Sequence, residues 1–425
     1  MNNCNYACGT ADHVVNRRLF LGGAAAGLAG FAGMTTPAAA RELKSAQKRM
    51  LVIFLSGGVS QLETWDPKPN TDTGGPFRAI PTSVPGIHIS ELLPEAAKRM
   101  HLLTLVRGIN TKEDEHGRGA TIMLTGRRTE PGLVYPHVGA VAAKLLTDKD
   151  AELPGHIQIT PRGGGGFNKE DAAFLGPKFA SVTLGDGKPP ADLLRPVTLT
   201  TDAEREAFRR KLDDRFAKSR RSAQTEAYTE SYEQAAKVVA RADAFDASRE
   251  DPKAADRYGR HDFGRHMLLA RRLLEQGVTF VKVSHTNYDT HHENFDFHIE
   301  QLGEFDRPFA MLLDDLKERG MLESTLVVVM SEFGRTPRIN DRYGRDHWSK
   351  AWSVAMAGCG LKPGAAVGKT NANGTAVTDR EVNGGHLFHT YFRALGMDPT
   401  KNFYPAGRPV PIADPKAAAI NEILI

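Results

Sequence analysis

Cysteine is scarce in this chain. Three of 425 residues are Cys, and two of them, Cys4 and Cys8, stand close to the N-terminus. That excludes a cysteine-rich metal site and leaves the body of the chain with Cys359 alone, which has no partner for an intramolecular disulfide. "AMAGCG" closes an apolar run, so Cys359 reads as a small core residue, with a catalytic thiol as the alternative. Charge of one sign is also lacking. The net charge is +4 and no basic cluster is interleaved with aromatics, which argues against a nucleic-acid partner. The densest charge run, "REAFRRKLDDRFAKSRRSAQ", mixes signs as a solvated helix face does. "PRGGGGFNKED", residues 161–171, lacks both the Gly-Lys-Ser/Thr of a phosphate loop and the GxGxxG spacing, so it reads as a surface loop. No internal repeat is visible.

What is present begins with "NRRLFLGGAAAGLAGFAGMTTPAAA". Arg17 and Arg18 precede Leu19, Phe20 and Leu21, a mildly apolar stretch runs from Gly22 to Met34, and Ala38-Ala39-Ala40 offers a cleavage site. This predicts a twin-arginine export signal over residues 1–40 and a mature chain starting near Arg41. The alternative is a membrane anchor, but the stretch is too short and too rich in Gly and Ala to span a bilayer well. The expected location is periplasmic or extracellular, with no stable membrane anchor after cleavage.

The rest, 41–425, reads as one α/β domain. Short apolar runs end in Gly or polar residues: "MLVIFL", "LLTLV", "VTFVKV", "TLVVVM" and "WSVAMA". Unbroken apolar runs of this length predict strands buried on both faces. Helical patterns precede several of them. "HMLLARRLLEQG" and "FAMLLDDLKERG" end in Gly277 and Gly320, as helix C-termini do. Helix and strand in alternation predict a doubly wound, mostly parallel (mixed) sheet with helices on both faces. Residues 202–248, charged and free of Gly and Pro, predict one or two helices inserted as an arm.

Ligands in open α/β sheets bind at the carboxyl ends of strands. Three such ends carry chemistry here: Ser56-Gly57-Gly58, Asp289-Thr290-His291-His292, and Ser331-Glu332-Phe333-Gly334-Arg335, followed by Asp346-His347 in "YGRDHW". If the strands are parallel neighbours, Asp289, His291, Glu332 and His347 can converge. Carboxylate plus imidazole suits Zn or Mn. The competing reading of "SHTNYDTHHENFDFH" is a polar loop that happens to be rich in histidine. His285 and His298 read as structural, and His292 as facing away or supporting.

In this order, "LSGGVSQLETWDPKP", "HGRGATIMLTGR", "YDTHHENF", "SEFGRTP" and "GRDHW" resemble the exported, sulfatase-like family known as domain of unknown function 1501, of the alkaline phosphatase-like superfamily. The resemblance runs from about Met50 to about Asp398. It implies a metal-centred site at the strand ends. It also exposes departures. The superfamily's first metal aspartate is replaced by Ser56-Gly57-Gly58. Its Asp-His pair after the "TLVVVM" strand becomes Glu332-Phe333. Counting back from Thr125-Gly126-Arg127, its nucleophile position holds His116. His116 is then a further ligand, a proton donor, a nucleophile or a relic. Arg118 and Arg335 are candidates for gripping an anionic ester, or else structural ion-pair partners. The expectation is an exported hydrolase of phosphate or sulfate esters that uses a divalent metal ion and takes an anionic small-molecule or glycan ester. The alternative is a catalytically degenerate binding or scaffold protein for anionic glycans or a protein partner.

Overall fold

The structure, a computed structural model, describes residues 47–161, 166–168, 170–189, 199–219 and 223–425. The twin-arginine segment, its Ala38-Ala39-Ala40 site, Cys4 and Cys8 lie outside the described residues, as does part of the glycine-rich stretch.

Nine strands form the main sheet: β1 (Arg49–Leu55), β2 (Leu103–Ile109), β3 (His156–Thr160), β4 (Gly166–Asn168), β5 (Ser181–Gly185), β6 (Phe280–His285), β7 (Thr325–Met330), β8 (Trp352–Gly358) and β9 (Ala365–Val367). Their order is β9-β2-β8-β7-β1-β6-β3-β5-β4. The sheet is mixed and mostly parallel, with helices packed over it: a doubly wound α/β fold.

The apolar runs become strands for a simple reason. In β1, Leu51, Ile53 and Leu55 enter one hydrophobic core while Met50, Val52 and Phe54 enter another. A strand with a core on each face has no polar face to show, so its sequence does not alternate. β1 pairs in parallel with β6 on one side and β7 on the other, Leu55 opposite His285 and Phe54 opposite Met330. The carboxyl ends of three strands therefore meet at the sheet centre. β8 departs from the parallel pattern. It runs antiparallel to both β7 and β2, and the link 331–351 carries a small ribbon, Gly334–Arg335 paired with His347–Trp348, in place of a crossover helix. A parallel return is normally made through such a helix.

The helices that bear on the sites are α1 (His116–Thr125), α2 (Val138–Leu146), α3 (Leu199–Ser219), α4 (Ala223–Ala240), α5 (Asp262–Glu275), α6 (Asn294–Glu318) and α7 (Gly384–Ala394). α5 and α6 end where their glycines predict. Gly277 (φ 88°) and Gly320 (φ 63°) take the left-handed conformation, and the next residues bond back to Leu273 and Leu316. α6 starts earlier than its apolar pattern shows and takes in Asn294–His298. Cys359 is buried, its thiol donating to the Ala394 carbonyl at 3.1 Å. Among the described residues no helix is long and apolar enough to cross a membrane.

Candidate metal centre

The site is built on close backbone approaches at the ends of β1, β6 and β7. Gly57 (φ 117°) follows β1, and a Cβ there would lie 2.4 Å from the Asp289 nitrogen. Only glycine lets the loop after β6 come so near. The Gly57 N–H donates to Glu332 Oε1 at 2.9 Å, while its carbonyl accepts from Arg335. A second loop is sewn onto the first. Arg345 N donates to Thr290 O, Glu293 N to Arg342 O, Asn294 N to Tyr343 O, and the Asn340 amide to His291 O. A Cβ on Gly344 would sit 2.0 Å from that same His291 oxygen. The buried Arg345 guanidinium anchors this loop on the equally buried Glu63 at 2.8 Å. Asp346 and His347 are thereby set beside His291. α1 brings His116 from a third direction. Its first turn is capped by the Glu115 carboxylate, which accepts from Gly117 N and Arg118 N.

Three imidazoles then share one arrangement. His116 Nδ1 lies 2.7 Å from Glu332 Oε1, His291 Nδ1 2.7 Å from Asp346 Oδ1, and His347 Nδ1 2.6 Å from the Asp114 carbonyl. Each oxygen can only accept, so each Nδ1 carries a proton, and in the neutral ring each Nε2 presents a lone pair. Those Nε2 atoms gather around Asp289. His116 Nε2 is 3.3 Å from Oδ2, and His291 and His347 Nε2 are 3.2 and 3.3 Å from Oδ1. His291 and His347 Nε2 are 3.0 Å apart, and His116 Nε2 is buried with no hydrogen-bond partner. Ligand atoms of His116, Asp289 and His347 all lie within 4.8 Å of one another. Phe333 packs against the His116 and His347 rings, at 4.9 and 4.5 Å between centroids. The group remains open to solvent: the Asp289 side chain is 50 % exposed.

Electrostatics follow from these contacts. Burial pushes the Asp289 carboxyl up. The Arg335 hydrogen bond at 2.6 Å and its charge, with help from His116 and His347, outweigh this and hold it at about 2. The Glu332 hydrogen bond raises His116, against burial. Burial, then the Arg335 charge, lowers His347, against the Asp114 carbonyl bond.

Of the four ligands the sequence suggests, the structure brings Asp289, His291 and His347 to one point and adds His116. Glu332 stands behind His116, its oxygens taken by His116, Gly57 N and the Ser331 hydroxyl. The arginines sit differently from an anion clamp. Arg335 is fully buried and donates to the Gly57, Gly58 and Arg345 carbonyls and to Asp289. Arg118 is 64 % exposed and pairs with Glu113 at 3.0 Å. His292 lies apart, 3.7 Å from Glu293. The supporting oxygens of Asp346 and Asp114 were not foreseen as such. "RDH" hinted at the first; a backbone carbonyl leaves no signal in sequence.

Fold and site together give an α/β protein with a cluster of histidines around an aspartate at its central strand ends, close enough that three of the residues could hold a metal ion. More particularly, the chain belongs to the family described as protein of unknown function (DUF1501), matched over residues 47–424. No curated protein matches it. Similar solved structures include the lipoteichoic acid synthase LtaP from Listeria monocytogenes, at 9 % identity and TM-score 0.36, covering 84 % of this chain and 74 % of that one. A TAB5 alkaline phosphatase mutant with Mg bound gives 12 % and 0.35, covering 83 % and 99 %. The phosphonate monoester hydrolase of Agrobacterium radiobacter gives 11 % and 0.39, covering 85 % and 75 %. The chemistry of the site follows from its own atoms rather than from these loose likenesses.

Proposed function

We propose that the protein is an exported, metal-dependent hydrolase of phosphate or sulfate esters, with one divalent ion held by His116, Asp289, His291 and His347. One observation carries the metal. Three Nε2 atoms each lie 3.2–3.3 Å from the Asp289 carboxylate, and with each ring neutral and its proton on Nδ1 no proton lies between His291 and His347, 3.0 Å apart. Such a set of acceptors is repulsive unless a cation lies among them. Imidazole with carboxylate favours Zn or Mn. The ester class rests on the motif resemblance, and export on Arg17, Arg18 and Ala38-Ala39-Ala40.

A divalent ion there supplies positive charge for the transferring oxygens of an anionic ester and acidifies water. The residues do the remainder. Glu332, Asp346 and the Asp114 carbonyl fix each tautomer and ring orientation, the role outer partners of metal-bound histidine play. Arg335 keeps Asp289 ionised and immobile. His116, at the superfamily's nucleophile position, turns its reactive nitrogen toward the shared point, so attack falls to water rather than to a side-chain hydroxyl.

The spent state of Arg335 and the Glu113 contact of Arg118 favour a second reading. With neither guanidinium turned to a ligand, the fold could serve as a binding protein for anionic glycans or a protein partner. Turnover of p-nitrophenyl phosphate and sulfate by Zn- and Mn-loaded protein separates the two. Hydrolysis by wild type, lost at least a hundredfold or so in Asp289→Asn, supports the enzyme. A metal-loaded protein that cleaves neither ester, nor a broader ester panel, removes the hydrolase in favour of the binding protein.

A further inference from the structure

One lysine stands where the strand pattern calls for an apolar residue. In β6, Val281 and Val283 enter the core on one face of the sheet, as do Ile157 and Ile159 of the neighbouring β3. Successive side chains of a strand point to opposite faces. Lys282 and Ser284 therefore share the other face with Gln158 and Thr160. The register sets Lys282 opposite Gln158, and Ser284 and Thr160 follow two residues on, toward the carboxyl ends. Helix α2 covers only the start of this face. A Cβ on Gly139, in its first turn, would lie 2.3 Å from His156 Nε2, so α2 begins over His156 and leaves the polar rows beyond its N-terminal end.

These rows hold donors that lack an acceptor. Lys282 Nζ lies 5.7 Å from the centre of the Phe54 ring, and Phe54 stands opposite Ser284, so the amine leans toward the strand ends. Among the described residues it makes no hydrogen bond or ion pair, and neither do the Ser284 and Thr160 hydroxyls. All three side chains are half-buried rather than sealed, so a small ion can reach them. The nearby acid, Asp171, is already engaged, accepting from Ser181 N at 3.1 Å and from the Gln158 amide at 2.8 Å. Burial pushes the Lys282 ammonium down to about 8, against the pull of Asp171, so it is still mostly charged at neutral pH. No side chain caps the first amides of α2, whose positive end lies over the same rows. A desolvated ammonium without a partner costs stability, and an anion held by it and by two hydroxyls offsets that cost. The metal centre is a neighbour. α1, which carries His116, packs on this same face, and β6 runs on directly to Asp289.

We propose that Lys282, Ser284 and Thr160 form an anion subsite beside the metal centre, one that takes a second phosphate, sulfate or carboxylate group of a ligand whose ester meets the metal. The place of the ester rests on the function proposed above; the anion site rests on its own groups. The test is calorimetric titration of the full chain with inorganic sulfate, phosphate and acetate in turn, after dialysis against a chelator so that no metal competes for the anion. Wild type should bind at least one of them with a Kd of about 1 mM or tighter. Lys282→Met should weaken that binding at least about tenfold. The same variant should melt no lower than wild type, because it replaces an unpaired ammonium with an apolar side chain of similar length, and without chelator it should hold as much metal. Sulfate and phosphate preferred over acetate would assign a tetrahedral group to the subsite, and the reverse a carboxylate. A wild type that binds none of the three, or a Lys282→Met chain that binds as tightly as wild type, overturns the proposal. Anion binding that is lost with Lys282, in a protein that cleaves no ester, upholds the subsite and removes only the hydrolase.

Discussion

Two groups of histidines, both drawing on the stretch 284–298, have opposite surroundings. Below the strand ends, His285 meets the Tyr288 hydroxyl at 2.8 Å and Glu304 at 3.2 Å. His298 donates to the Asn294 carbonyl at 2.7 Å and accepts from Ser60 N at 3.2 Å. Both rings have both nitrogens engaged by protein atoms. At the rim, His291 joins His116 and His347, each with Nδ1 engaged and Nε2 turned to other acceptors. The number of histidines is therefore a poor guide to a site. What distinguishes the rim is that one ring nitrogen of each histidine turns to the same carboxylate, Asp289.

Removing rim ligands should have the largest effect. His347→Ala or Asp289→Asn should take bound metal from about one ion per chain to near none by elemental analysis, since a four-ligand site reduced to three loses most of its hold. His285→Phe should leave metal content unchanged. Gly57→Ala comes next, because its Cβ would collide with the Asp289 backbone. It should lower both metal content and melting temperature, whereas Gly303→Ala, on the open side of α6, should lower neither. Supporting carboxylates follow. Glu332→Gln and Asp346→Asn should each weaken metal binding roughly 10–100-fold in a competition titration, without abolishing it. An equal and total loss in either would place that residue on the metal itself.

The smallest effect concerns acid. Burial holds His298 below its ordinary value, against the pull of Glu63. A histidine kept neutral in the fold costs stability once the unfolded chain can take up its proton. Stability it supports is present above about pH 6.5 and is lost as pH falls below that. His298→Gln should flatten the dependence of urea-unfolding free energy on pH between about 6.5 and 4.5. Unchanged slopes would show that another group sets the acid limb.

Much of the scaffold was legible. "TLVVVM" matches β7, and Gly277 and Gly320 mark their helix ends, because two-sided burial and left-handed caps each leave a local signature. The antiparallel turn of β8 was not legible, since its apolar run looks the same in either direction. Three of the suggested ligands meet because β6 and β7 flank β1, which parallel pairing anticipated. The place of Glu332 was hidden. Residue type and spacing say that an acid follows the strand, but not that Gly57 N, Ser331 and His116 already occupy its oxygens. His116 comes from beyond β2, two strands away from β7, and only the tertiary path of α1 shows which face of its ring meets Asp289.

X-ray absorption on the metal-replete wild-type protein tests the centre most directly. A site of three imidazoles and Asp289 predicts scattering from about three nitrogens and one oxygen near 2.0–2.2 Å, with the outer-ring signal of coordinated histidine. An ion surrounded by water oxygens alone, or no ion retained after dialysis against buffer, would contradict it.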